Sequence, residues 1–312
     1  MTSEILLSII TPVFNGQKYI ADTIDSVLRV ETSIPFEYII VDDGSTDDSA
    51  KIVREYGAKV RYIYQVNQGE AAAVNEGIRN SSGKYCMVVS DDDPVFKSEL
   101  FAKSVLFLEE NPSIVATYPD WRVIDEFGDE IEKRTTREFS IRELAGLFNC
   151  LPGPGACFRK DAAVRIGGRS SKYKYVTDYD FWLRLSETGD FARLQGFMAQ
   201  WRIHNESTSI SSQGKDMAGE RIKVIEDYLT RNAPKPDFAR MALSHALYYA
   251  ARIGVTSREV PARRYLFKAF LIARRWPKRC NFFVVLFILL TPFSRYLYLF
   301  LRNKHHKLCR LI

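Results

Sequence analysis

The sequence predicts an α/β fold with a mostly parallel central sheet flanked by helices, followed by a helical C-terminal extension. Three observations carry this. Between Leu6 and Asp93, short apolar runs alternate four times with polar loops, and helical spacing follows most of them, without a hairpin signal. Such alternation builds parallel strands whose connecting helices pack over the sheet. The polar clusters fall where the runs end, at the strand termini where ligands bind in such sheets. At 312 residues and 46% hydrophobic content, the chain can also bury a substantial core.

Residues 6–11 are a continuous apolar run that Pro12 is expected to stop, and residues 18–30 follow with Ile20, Ile24, Val27 and Leu28 at helical spacing. Residues 36–41 form the next predicted strand. It ends in Asp42, Asp43, Gly44, Ser45, Thr46 and Asp47, where Ser45 or Thr46 can cap a helix carrying Ile52 and Val53. Residues 60–64 are a third strand, Asn67, Gln68 and Gly69 a turn, and residues 70–79 an Ala-rich helix. The fourth run, residues 85–89, ends in Ser90, Asp91, Asp92, Asp93 and Pro94. Three adjacent carboxylates repel one another unless a hard cation sits among them. A solvated acidic loop is the alternative.

The rim lacks both GxGxxG and GxxxxGK[ST], so neither a dinucleotide nor a P-loop triphosphate is indicated. Carboxylates line it instead. They suit a metal that in turn holds a diphosphate, and Asp43 can accept hydrogen bonds from a base imide or a ribose hydroxyl.

Taken together, SIITPVFNG (residues 8–16), YIIVDDGSTDDS (38–49), NQGEAAAVNEGI (67–78), GKYCMVVSDDD (83–93), TDYDFWLRLSETG (177–189) and WRIHNESTS (201–209) make the sequence resemble the inverting family 2 glycosyltransferases of GT-A fold. The resemblance covers about the first 210 residues. It implies transfer of a sugar from a nucleotide diphosphate, a UDP-sugar foremost, to an acceptor hydroxyl with Mn²⁺ or Mg²⁺ as cofactor. It further implies that Pro12, Phe14, Asn15 and Asp43 line a nucleobase pocket, with Asn67 and Gly69 in the donor-binding set. Asp91 and Asp92 would form the metal–diphosphate site, Asp92 as the more direct ligand, with Asp93 a further candidate ligand in the triplet, and Asp178 would be the catalytic base. The chain departs from the family in three places: Ser90 stands where the metal motif commonly begins with Asp, Thr177 precedes Asp178 in place of Glu, and Val74 replaces a basic residue of the third helix.

Residues 114–118 and 121–124 are strand-like, and the charged segment 125–137 is expected to be a mobile acceptor-side loop at the sheet edge. The turn LPGPGA (residues 151–156) either connects elements or lines the acceptor entrance. Asp178 can cap a helix whose Phe181, Trp182 and Leu185 pack inward, while Asp180 points elsewhere. Displacement with inversion needs one such base, whereas glycosidases flank the bond with two carboxylates. Arg202 and His204 follow a strand-like run, residues 192–201. Arg202 would place positive charge beside the leaving group, and His204 is a metal or diphosphate contact or a structural histidine.

The rest of the chain, residues 213–312, reads as a separate helical region after a catalytic domain of residues 1–212. From residue 257 onward thirteen Lys and Arg stand against one acid, Glu259, so this tail carries +12 and the preceding residues −6 of the net +6. Residues 282–301 are the most apolar stretch, interrupted by Pro292 and Arg295 and flanked by basic clusters. The pattern fits an interfacial anchor on the membrane surface, and burial on the catalytic domain or in a homo-oligomer is the alternative. No nucleic-acid reader motif accompanies the charge. The five cysteines have no CxxC spacing, and the opening residues have no basic n-region; both fit a cytoplasmic protein at the inner membrane face. The acceptor expected there is a glycan or lipid-linked precursor. A nucleotidyltransferase, which would be expected to carry a basic glycine-rich loop, and a docked scaffold without turnover are the competing functions.

Overall fold

The computed structural model describes residues 4–149, 152–204, 214–256 and 261–273. The described chain divides into two compact units, residues 1–140 with 150–205, and residues 141–149 with 206–312.

The first unit is built on one sheet. Strands β1 (Leu7–Val13), β2 (Phe36–Asp42), β3 (Arg61–Tyr64) and β4 (Tyr85–Val88) lie in the order β3-β2-β1-β4, all parallel. Strand β7 (Cys157–Arg159) continues the sheet antiparallel to β4, and β5 (Ile114–Ile124) follows antiparallel to β7. Ala116 and Trp121 of β5 each have partners on both sides. One edge of β5 carries β7 and then β6 (Glu130–Arg134), and the other carries β8 (Asp190–Arg202) in parallel along its length.

Strand β1 is buried throughout because it lies between two strands and under helices on both faces. Leu7, Ile9 and Val13 join Ile20, Ile24 and Val27 of α1 (Ile20–Leu28), Val53 of α2 (Ser49–Glu55) and Leu100, Phe101 and Val105 of α4 (Glu99–Glu110) in one core. On the opposite face, α3 (Glu70–Asn80) lies so close that a Cβ at Gly77 would collide with Ile10. The close approach explains a glycine inside a helix. Helices α5 (Lys160–Arg165) and α6 (Thr177–Leu185) complete the unit, and α6 buries Phe181, Trp182 and Leu185.

Several expectations shift. Pro12 does not end β1, which runs on to Val13 with Pro12 opposite Val41. The register with β4 ends at Ile10, so the missing N–H of Pro12 falls where β1 is paired on one side only. The two strands expected at 114–118 and 121–124 are one strand through Pro119, irregular in register at 119–121. The charged segment 125–137 contains β6, whose pairing to β5 the residue types did not announce. Cys86 and Cys157 are free and buried on paired strands.

The second unit comprises α7 (Gly214–Asn232), α8 (Pro236–Thr256), α9 (Ala262–Ile272) and a π-helical turn, Arg142–Gly146. Gly146 leaves room for Met241 and Phe238 of α8, and Phe148 stacks on Tyr249. Pro236 opens α8 after α7 ends at Asn232, and α8 runs through Gly254 to Thr256. No helix among the described residues is long and apolar enough to cross a membrane. The apolar stretch 282–301 and its flanking basic clusters lie outside the described residues.

Candidate active site

The loops that follow β1, β2, β3 and β4 meet at one rim because four parallel strands end there together. Side chains lock the first two loops to each other. Asn15, with φ +54°, accepts the Thr46 N–H through Oδ1 at 2.8 Å, and its own N–H donates to Ser45 Oγ at 3.0 Å. Gly16 N–H donates to Ser49 Oγ at 2.9 Å and Gln17 N–H to Asp47 at 3.0 Å. Phe14 projects beside them, half exposed, while Pro12 is buried.

Two acidic residues end β2 and do different work. Asp42 is buried and holds its own turn, accepting Ser45 N–H at 2.8 Å and Tyr62 Oη–H at 2.6 Å. Asp43, also buried, accepts Gln65 Nε2–H at 2.7 Å and Gln68 N–H at 2.8 Å on Oδ1, and Gly69 N–H at 2.8 Å on Oδ2. These bonds fix the 65–69 turn and leave acceptor capacity on Oδ2. Gly44 takes φ +79° where Asn67 presses against it. Asn67 and Gly69 are exposed on this turn.

The acidic triplet splits three ways. Asp91 packs on Gly16, where any Cβ would collide with its carboxylate, and its carbonyl accepts Thr23 Oγ–H at 2.9 Å. Asp92 Oδ2 meets His204 Nε2 at 2.9 Å. Asp93 Oδ1 accepts the Arg202 backbone N–H at 2.7 Å. Burial, then the neighbouring charge of Asp92, pushes the Asp91 carboxyl well above the usual carboxylate range. The same two causes raise Asp93, against the opposing pull of the Arg202 N–H and guanidinium.

Arg202 ends β8 and is buried. Its Nε donates to the Asp92 carbonyl at 2.9 Å, Nη1 to the Glu126 carbonyl at 3.3 Å, and Nη2 to the Asp22 carboxylate. Much of the fork expected to face a leaving group is thus engaged by protein oxygens, so Arg202 organises the triplet turn from behind. The Tyr19 ring lies 4.7 Å from that of His204 and 4.8 Å from the Arg202 guanidinium. Asp22, Tyr19 and Glu126 belong to none of the motifs, so only the fold brings them here.

Among the described residues no three His, Cys, Asp or Glu side chains converge to hold a metal ion. Asp92 and His204 converge as a pair, one carboxylate oxygen and one imidazole nitrogen. That donor set fits a cation such as Mn²⁺ whose remaining ligands come from diphosphate and water, as is common where a metal serves phosphates.

Asp178 is exposed in the first turn of α6, with Oδ1 accepting the Tyr179 N–H at 2.7 Å. It lies inside the helix rather than capping it, since Val176 occupies the N-cap. Asp180 is buried and paired with Arg184 at 2.7 Å, and that guanidinium also donates to the carbonyls of Ile166 and Gly168. The 166–169 segment is therefore tied to α6, and through Asn75 and Glu70 to α3.

A profile of Glycosyl transferase family 2 matches residues 8–167. An uncharacterized glycosyltransferase of Rickettsia prowazekii (strain Madrid E) is 30% identical over 210 residues, 65% of this chain and 66% of that one. The chain spans at most about two thirds of the length of the Rickettsia relatives it matches. In fold it is similar to Staphylococcus aureus TarS 1-349 in complex with UDP-GlcNAc, with a TM-score of 0.66 at 18% identity over 94% of this chain and 87% of that one. It is also similar to the mannosyltransferase PcManGT of Pyrobaculum calidifontis in complex with GDP-Man and Mn²⁺, with a TM-score of 0.54 at 16% identity over 96% and 88%. The sheet and its helices are those of the GT-A fold, and the chain belongs to family 2 of the glycosyl transferases.

Proposed function

We propose that the protein is an inverting, metal-dependent glycosyltransferase that moves a sugar from a nucleotide diphosphate, a UDP-sugar, to a hydroxyl of a glycan or lipid-linked acceptor. The observation that supports this most is the meeting of four strand-end loops at one rim, with Asp91 against Gly16 and Asp92 against His204. In this reading Pro12, Phe14, Asn15 and Asp43 hold the nucleobase, Phe14 offering its exposed ring and Asp43 the remaining capacity of Oδ2. Asn67, Gly69 and Asp91 border the ribose and diphosphate. Asp92 and His204 hold Mn²⁺ or Mg²⁺, with Asp93 and Arg202 fixing the turn that presents them. When bound, the ion offsets charge developing on the leaving diphosphate.

Asp178 takes the proton of the acceptor hydroxyl as that oxygen bonds to the anomeric carbon and the bond from carbon to the diphosphate oxygen breaks. Attack from the face opposite the leaving group inverts the centre and needs no covalent intermediate. Residues 1–212 carry the reaction, and residues 213–312 are a helical region whose basic, apolar end, 282–301, docks at the cytoplasmic membrane face. A thermal-melt screen of nucleotide sugars with and without Mn²⁺ tests the reading, because a ligand that binds only the folded state raises Tm. A Mn²⁺-dependent rise with one UDP-sugar, and transfer of that sugar, are expected. The absence of any shift across UDP-, GDP- and dTDP-sugars would sink it.

A further inference from the structure

Helix α9 has two opposed faces. Ala262, Leu266 and Ala269 are buried, and Tyr265 packs against the Ala218 and Ala250 cluster of the neighbouring helices. On the other side Phe267, Phe270 and Leu271 are 63%, 57% and 62% exposed. Nowhere else among the described residues do three large apolar side chains stand so exposed within five positions. Arg263, Arg264 and Lys268 flank this face, all exposed, and the helix contains no acid.

We propose that this face of α9 docks on an anionic lipid surface, with the two rings and Leu271 in the boundary between headgroups and acyl chains and the three cations at the phosphates. Charge selects the occupant. A second copy meeting the face symmetrically would set Arg263, Arg264 and Lys268 against their own counterparts, burying like charges. The chain's own 282–301 segment is bracketed by Arg274, Arg275, Lys278 and Arg279 and by Arg302, Lys304, Lys307 and Arg310, so it too brings cations. An anionic bilayer complements every one of them. The excess acid of the residues before 257 disfavours docking elsewhere, which confines contact to the C-terminal region. The inference goes beyond the transferase reading, since it gives α9 lipid affinity of its own, separate from any contribution of the tail.

The full-length protein is tested by flotation with phosphatidylcholine vesicles with and without phosphatidylserine. Binding that requires phosphatidylserine is expected. Phe267→Glu with Leu271→Glu should lower the partition coefficient roughly tenfold or more, because the inserted face is lost. Arg263→Gln with Arg264→Gln and Lys268→Gln should reduce the phosphatidylserine preference by about fivefold per cation removed. Unchanged partition in both variants overturns the proposal by leaving all binding to the tail. So does a wild-type dimer in sedimentation that Phe267→Glu with Leu271→Glu dissociates, which would assign the face to a second copy. The nucleotide-sugar melt is run on the same variants. Its failure would count against the transferase reading while leaving the vesicle result standing, so the two failures are distinguishable.

Discussion

Asn75 holds Arg169 with both ends of its amide: Nδ2 donates to the Arg169 carbonyl and Oδ1 accepts the Arg169 N–H, each at 2.7 Å. The clasp ties α3, whose first turn adjoins Asp43, to the 166–169 segment that Arg184 of α6 grips from the other side. Asn75→Ala leaves the Arg169 backbone groups without these partners, at about 1–3 kcal/mol. A melting curve should show Tm lower by several degrees. If the clasp also positions α6, turnover should fall more than donor affinity; an equal loss of both would confine Asn75 to stability.

Asp178→Asn keeps the shape of the first turn of α6 but cannot take a proton. Transfer should fall by about 10² to 10⁴, the usual range for losing a general base. UDP binding, followed by calorimetry, should stay near wild type. Retained turnover would remove Asp178 from the mechanism.

Asp92→Ala and His204→Ala each take one donor from the pair at 2.9 Å. Both should abolish the Mn²⁺ dependence of nucleotide binding, and EDTA should lower wild-type affinity to the level of the variants. A variant that still responds to Mn²⁺ would move the metal to another member of the triplet.

Asp120 is the buried hub of the β5–β8 pairing, accepting Arg193 through both oxygens, Thr136 N–H at 2.7 Å and Gly196 N–H at 3.2 Å. Burial alone would raise its pKa. The hydrogen bonds, led by those from Arg193, outweigh burial and hold it below the ordinary carboxylate value. A depressed folded-state pKa gives stability that is fully present above the unfolded value of about 3.9 and is lost as pH falls through the folded value. Asp120→Asn should therefore flatten the acid side of the stability curve below about pH 4. Asp120→Ala, which leaves the Arg193 charge only the exposed Glu138 carboxylate at 3.6 Å, should cost about 3 kcal/mol at neutral pH.

The parallel half of the sheet was legible because each strand and helix carries its own periodicity: β1, β2 and β4 are apolar runs and α1 and α3 have apolar stripes. Strand β7 was not, since three residues present no period and its place between β4 and β5 depends on partners distant in sequence. Strand β6, all charge but for Ile131, is an edge strand with no apolar alternation, held to β5 by its ladder and by the Arg122–Glu130 ion pair at 2.7 Å. At the rim, the carboxylates announced themselves by type. How they divide did not: Asp91 turns to Gly16, Asp92 to His204 and Asp93 to Arg202 because β1 and β8 bring those partners within reach. Arg202 shows the limit most clearly, since its residue type suggested a phosphate ligand while Asp22 and two carbonyls take up much of its fork.

The π-helical turn at Arg142–Gly146 makes the two units hard to separate with a single cut. The chain leaves the first unit after Ser140, contributes Ile141–Asn149 to the second, and returns. A polypeptide shortened at residue 213 would retain that turn while losing Met241 and Phe238, which pack over Gly146, and Tyr249, which stacks on Phe148. Leu144, Ala145 and Phe148, buried in the whole protein, would then meet water. Such a fragment should be sticky even with its catalytic loops intact, and trimming residues 141–149 to a short polar bridge should restore solubility.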